Sequence, residues 1–150
     1  MTEIVVVTLI GAAPAIVFDL ELDADVHAAS LESSGERATT STGHPALALG
    51  DEVTFAARHL GRTWRLTSRV TEFDRPHRFV DEQVSGPFRS MRHEHLFEPA
   101  DVGSTRMTDR MTFTAPLGPL GAAVARLVLA PYLRRLLRLR GAHIRRLAEA

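Results

Sequence analysis

Two histidines one residue apart, His93-x-His95, are the first residues in the chain whose types and spacing suit chemistry. Histidine titrates near neutrality, so such a pair can move protons, orient a ligand or hold a metal. Residues two apart in a strand share a face, so both rings point the same way. Asp109 falls on the matching face of the next extended segment. His93, His95 and Asp109 are therefore candidate catalytic residues: a carboxylate beside a histidine positions it for general acid–base work. The same three have the outline of a two-His, one-carboxylate metal site. That spacing is too common among strands to identify a metal, and no metal or other cofactor is expected. A buried His–Asp hydrogen bond that only fixes strand register accounts for the pattern equally. Covalent chemistry is narrower. All eighteen basic residues are Arg, so no lysine is present for a Schiff base, and the absence of Cys removes thiolate nucleophiles, Cys-ligated metals and disulfides. Ser68 lacks a glycine-flanked elbow, and no glycine-rich phosphate loop occurs.

These side chains must be carried by strands. Turn signals recur about every ten to fourteen residues from Gly43 onward, the spacing of an antiparallel meander. After a first strand, Glu3 to Ile10, a short helix from Pro14 to Leu20 and a second one, capped by Asp23 or Asp25 and ending at Ser30, are expected. Strands then follow at 33–42 (polar, at an edge), 51–60 (turned at Gly61-Arg62), 63–73, 77–85, 88–98 and 104–114. Alternation puts Arg, Thr and Glu on one face of three of these strands. The opposite face is apolar with polar insertions. It carries Phe55, Ala57 and His59, then Trp64, Leu66 and Ser68, then Met91, His93 and His95, then Met107, Asp109 and Met111. The segment His77–Ser85 alternates ambiguously; Phe79, Asp81 and Gln83 are assigned inward.

The C-terminal run, Leu120 to Ala148, reads as one helix broken only by Pro131, roughly 40 Å long. Leu120, Val124 and Leu127 form its stripe before Pro131. Afterwards Leu133, Leu136, Leu137, Ile144 and Leu147 share a face, and Arg134, Arg135, Arg138, Arg145 and Arg146 lie opposite. Arg140 falls among the leucines. A guanidinium stays charged, so an inward Arg140 needs an anion. The expected partner is an internal carboxylate, Asp81 or Asp109, ahead of snorkelling or contact with an acidic ligand. A curved sheet gripping one long helix encloses a cavity. The inward residues named above, with Leu133, Leu136, Leu137 and Arg140, are its expected ligand-binding lining.

Composition bounds the partners. The chain has 150 residues, 45% of them hydrophobic, and zero formal net charge. One domain spanning 1–150 is expected, with no global field favouring nucleic acid. The apolar N-terminus, Ile4 to Phe18, lacks a basic leader and is rich in β-branched residues, which suits a strand better than a signal peptide. No uncharged apolar run reaches membrane-spanning length. A cytoplasmic protein is expected.

The order strand, two short helices, six strands, long C-terminal helix is that of the α+β helix-grip fold. Local sequence agrees: Ile10-Gly-Ala-Ala-Pro-Ala-Ile-Val17-Phe18-Asp19-Leu20, Gly50-Asp51-Glu-Val53-Thr54-Phe55, Thr67-Ser68-Arg-Val70-Thr-Glu72-Phe73-Asp74-Arg-Pro76, His93-Glu-His95-Leu-Phe97-Glu98-Pro99 and Pro116-Leu-Gly118-Pro-Leu-Gly121. On these residues the chain resembles the START-like, birch-pollen-allergen-like superfamily called SRPBCC, near bacterial members labelled polyketide cyclase/dehydrase. The resemblance implies an internal site for an apolar or amphipathic small molecule such as a lipid, polyketide or quinone. It carries no catalytic motif across to particular residues. Two alternatives stand beside binding. One is a cyclase or dehydratase in which the His–Asp pair moves protons. The other is an adaptor that touches a membrane or partner protein through the arginine face of the last helix.

Overall fold

The computed structural model describes residues 1–150. Its centre is one seven-stranded antiparallel sheet. The strands are β1 (Thr2–Ile10), β2 (Arg37–Thr40), β3 (Glu52–His59), β4 (Arg62–Asp74), β5 (Arg78–Ser85), β6 (Ser90–Pro99) and β7 (Thr105–Thr114). Their order across the sheet is β1-β7-β6-β5-β4-β3-β2, so the meander runs in sequence order from β2 to β7 and β1 closes against the last strand. Two helices, α1 (Pro14–Glu21) and α2 (Ala24–Ser30), follow β1. Pro14 starts α1 where its missing N–H costs nothing. Asp23 caps α2, its carboxylate accepting from the Asp25 and Val26 amides at 2.9 and 3.0 Å.

The polar edge strand is shorter than the expected 33–42. Glu32–Ser34 form a 3-10 turn ended by Gly35 at φ 63°, and only Arg37–Thr40 pair with β3. Serine, serine and glycine in a row favour a turn over a ladder. The β3–β4 turn is Leu60-Gly61 rather than Gly61-Arg62, with both residues at positive φ (54° and 76°). In β4 an extra residue, Thr71, interrupts the register: Val70 opposes Asp81 but Glu72 opposes Val80. This bulge bends β4; on β5 the alternation is settled by Phe79 and Asp81, which border the cavity.

The C-terminal helix is three pieces: α3 (Gly118–Val124), a π-helical turn (Ala125–Leu129) and α4 (Ala130–Glu149). The Ala130 amide reaches back five residues to the Ala125 carbonyl. Pro131 supplies no N–H and crowds the carbonyl four residues earlier, and the widened turn just before it absorbs both demands. The extra residue in that turn also rotates the faces. Of the expected stripe, Leu120 and Val124 border the cavity while largely exposed and Leu127 is exposed; Gly121, Ala125 and Ala130 are the buried positions. Past Pro131 the leucine face holds, with Leu137 and Ile144 buried. Leu147 is exposed: three residues beyond Ile144 it sits about 60° off the inner line, and Ala148 packs inward in its place.

Two apolar clusters flank the cavity. Phe18, Phe79, Phe97, Met107 and Ile144 fill one end; Ile4, Met91, Met111, Phe113 and Leu137 fill the other. Helix α4 lies directly on β1. A Cβ on Gly141 would collide with the Thr8 side chain, so only glycine permits that approach. At the helix terminus Glu149 accepts a 2.7 Å hydrogen bond from the Gly11 amide at the end of β1. No helix is long and apolar enough to cross a membrane.

Candidate functional site

The sheet and the C-terminal helix enclose a cavity of about 620 Å³. Alternation along each strand supplies its walls. Phe55, Ala57 and His59 come from β3; Trp64, Leu66 and Ser68 from β4; Phe79 and Asp81 from β5; Met91, His93 and His95 from β6; Met111 from β7. Leu133, Leu136, Leu137 and Arg140 of α4 close it. Three residues expected in the lining lie elsewhere. Met107 is buried beneath α1 in the cluster around Phe18, because β7 runs past the cavity at that point. Gln83 closes the β5–β6 turn, donating to the Phe88 carbonyl at 2.8 Å and accepting from its amide at 3.2 Å. Asp109 sits behind the histidines, fully buried, out of contact with the cavity.

Register builds the polar end. Asp109 faces His95 and Asp81 faces His93 in the strand pairing, yet each carboxylate bonds the diagonal histidine. Asp109 Oδ1 is 3.0 Å from His93 Nε2, and Asp81 Oδ2 is 2.7 Å from His95 Nε2. The two imidazoles stack with centroids 3.8 Å apart, and the Phe79 ring covers the far side of His95 at 4.1 Å. His95 Nδ1 lies 3.2 Å from both Asp109 Oδ1 and Glu21 Oε1, close enough for ion pairing but without the alignment of a hydrogen bond. Arg140 completes the cluster. Its buried guanidinium meets Glu21 at 3.5 Å, not the expected Asp81 or Asp109, because the end of α1 reaches α4 before either strand carboxylate does.

Charges sort accordingly. Burial alone would strip the proton from His95, but Asp109, Asp81 and Glu21 outweigh it and lift its pKa well above the usual value. Burial and the charge on His95 push His93 the other way, below 6.5, despite its bond to Asp109. Burial opposes ionisation of Asp109, yet the bonds to His93 and His95 hold its carboxyl far below the ordinary range. Asp81 is lowered too, since the His95 bond overcomes burial. The resulting pair is a cationic His95 stacked on a neutral His93. Two sets of three side chains, Asp81–His93–His95 and Glu21–His95–Asp109, bring ligand atoms within 4.8 Å of one another. Both include His95. A metal there would have to replace the proton that three carboxylates hold on that ring.

Several contributors escaped the sequence reading. Glu21 follows Val17 and Phe18 by four and three residues, so it shares their buried face on α1; that spacing was the available signal. His27, stacked on Phe55 at 3.9 Å and bonded to Glu36 at 2.7 Å, gave none, since its partner lies across a turn. Burial, then the Arg140 charge, keep His27 below its usual pKa despite Glu36. Tyr132 hydrogen-bonds His59 at 2.8 Å and so ties the start of α4 to the end of β3.

A seven-stranded sheet gripping a long helix around an apolar cavity defines a helix-grip, Bet v 1-like protein of the SRPBCC group. The chain belongs to the family described as polyketide cyclase / dehydrase and lipid transport, which matches residues 1–149. Its fold is similar to that of a Thermus thermophilus protein, with TM-score 0.76, 18% identity and coverage of 95% of this chain and 97% of that one. It is also similar to the Zhui aromatase/cyclase of a Streptomyces species (TM-score 0.71, 14% identity, 97% and 95% covered). Norcoclaurine synthase from Thalictrum flavum shares it as well (TM-score 0.74, 10% identity, 97% and 85% covered). At these identities the likeness concerns the fold. No curated protein matches the chain significantly.

Proposed function

We propose that this protein binds an apolar or amphipathic small molecule inside the cavity, with the ligand's polar group at the Glu21–His95–Arg140 end. The observation that carries this reading is the cavity itself. Its volume of about 620 Å³ is that of a small-molecule site, and its walls are mostly apolar, with charged side chains gathered around Glu21, His95 and Arg140 and further polar pairs at His27–Glu36 and His59–Tyr132. A mostly apolar ligand body with a polar group at the charged end matches that division. The test fills the space. Ala57 is buried and borders the cavity, so Ala57→Trp should abolish the fluorescence gain of an uncharged naphthylamine probe while leaving a cooperative thermal transition. Undiminished probe uptake by the folded variant would overturn the reading.

A second reading is favoured by one specific feature, the stacked histidines of opposite protonation. Environments that push two neighbouring groups apart in pKa prepare an acid and a base. His95 would donate toward a ligand carbonyl and His93 would accept a proton from the adjacent carbon, which is the chemistry of a cyclase or dehydratase. Asp109→Asn separates the two readings, since binding alone tolerates it and turnover does not.

A further inference from the structure

The run 116–129 holds one charged residue, Arg126, and otherwise only Pro, Gly, Ala, Val and Leu. Packing does not hide it. Leu117, Leu120 and Leu127 are each at least two-thirds exposed, and Val124 and Val128 nearly half. Leu60, in the β3–β4 turn, is a further exposed leucine, and it borders the cavity together with Leu117, Leu120 and Val124. An exposed apolar stretch of this length marks a contact site rather than ordinary surface. Charge continues the pattern. No Asp or Glu occurs between Arg110 and Glu149. Leu127, Pro131, Arg135 and Arg138 follow at steps of four, four and three and are all exposed, so the apolar line of the helix runs on into a cationic one. Arg126, Arg135 and Arg138 pair with no carboxylate, whereas Arg69, Arg75, Arg78, Arg92 and Arg110 each do.

We propose that the run 116–129, with the arginines that follow it, docks the protein on an anionic lipid bilayer. The leucines and valines enter the boundary of the acyl chains, and Arg126, Arg135 and Arg138 meet lipid phosphates. The same surface suits other occupants less well. A second copy seated face to face would set arginine against arginine. A protein partner is usually anchored by Tyr or Trp, and 116–129 contains no aromatic residue. Docking here would bring the bilayer to Leu117, Leu120 and Val124, side chains that border the cavity. The proposal goes beyond cavity binding and does not depend on it.

The test is co-sedimentation of the full chain with sucrose-loaded vesicles, either phosphatidylcholine alone or phosphatidylcholine with about 30 mol% phosphatidylglycerol. In low salt the anionic vesicles should bind at least about tenfold more tightly than the neutral ones, and about 0.5 M sodium chloride should remove the difference. Arg135→Gln/Arg138→Gln should weaken binding to the anionic vesicles about tenfold. Leu127→Asp/Val128→Asp should abolish it. None of these four residues borders the cavity, and a cooperative thermal transition shows that each variant folds. Uptake of the naphthylamine probe in vesicle-free buffer reports cavity binding separately. Equal binding to neutral vesicles, no sedimentation with either kind, or undiminished sedimentation of Leu127→Asp/Val128→Asp overturns the proposal and leaves cavity binding standing. A wild-type dimer that Leu127→Asp/Val128→Asp reduces to monomer in sedimentation velocity, without vesicle binding, overturns it in favour of self-association.

Discussion

His95 shows how far neighbouring charges can override burial at a single residue. Its native pKa is raised, so the folded chain holds a proton that the unfolded chain releases near 6.5. The stabilisation from that proton is fully present below about pH 6.5 and is lost as pH rises through the native value. His93 and His27, with lowered native values, act in the opposite direction and cost stability as pH falls below 6.5. Wild-type stability in urea should therefore decline from pH 6.5 toward pH 9. Asp109→Asn removes one of the carboxylates that lift His95, so its decline should be shallower. Asp81 and Glu21 still face the His95 charge, so the loss at neutral pH should be about 1–3 kcal/mol, that of a buried hydrogen-bond partner. Parallel pH profiles for the two proteins would show that Asp109 does not hold the His95 proton. The three residues of this relay were legible because strand period fixes which side chains share a face. The carboxylate that Arg140 meets was not, because Glu21 comes from a different kind of element, and helix-to-helix distance is absent from any strand pattern.

At the scale of elements, alternation and turn residues located six of the seven strands to within a residue or two, and they misplaced what depends on backbone detail. The polar edge strand shrank because Gly35 takes a left-handed conformation. The buried line of the C-terminal helix runs through Ala125 and Ala130 rather than Leu127 where the π turn inserts a residue before Pro131. Neither device has a hydrophobic period to betray it. The β3–β4 turn is a third case. Two successive residues at positive φ make a tight hairpin turn that favours Asn-Gly, and here a leucine occupies the first position. Left-handed backbone costs a branched apolar side chain more than it costs asparagine. Leu60→Asn should raise stability by about 0.5–1 kcal/mol, read as a higher urea midpoint at unchanged slope. A lower midpoint would mean that the exposed Leu60 side chain packs more firmly on the cavity rim than its turn strains.

For the molecule as a whole, the order of elements and the local sequence together specified a sheet wrapped on a helix, because most strands alternate and one long apolar stripe remains to cover them. The ligand was not specified, because a cavity is a property of what packing leaves unfilled and no residue encodes it alone. The hydrogen bond from Gly11 to Glu149 carries a consequence for how that cavity opens. It fastens the last turn of α4 to the first strand, and Leu137, Gly141 and Ile144 are sunk against the sheet nearby. The opposite end is held far less firmly: Leu120 and Leu127 are 67% and 75% exposed, and the π turn interrupts regular helical bonding between them and α4. Local opening draws on the weakest region of a structure. Local opening is therefore expected at the N-terminal stretch of this helix, beside Leu60, Leu117 and Leu120. In hydrogen–deuterium exchange, amides of 118–129 should exchange about a hundredfold faster than those of 137–146. An apolar ligand should slow the first group and leave the second unchanged. Equal protection of both ends would mean that 118–129 opens no more readily than 137–146.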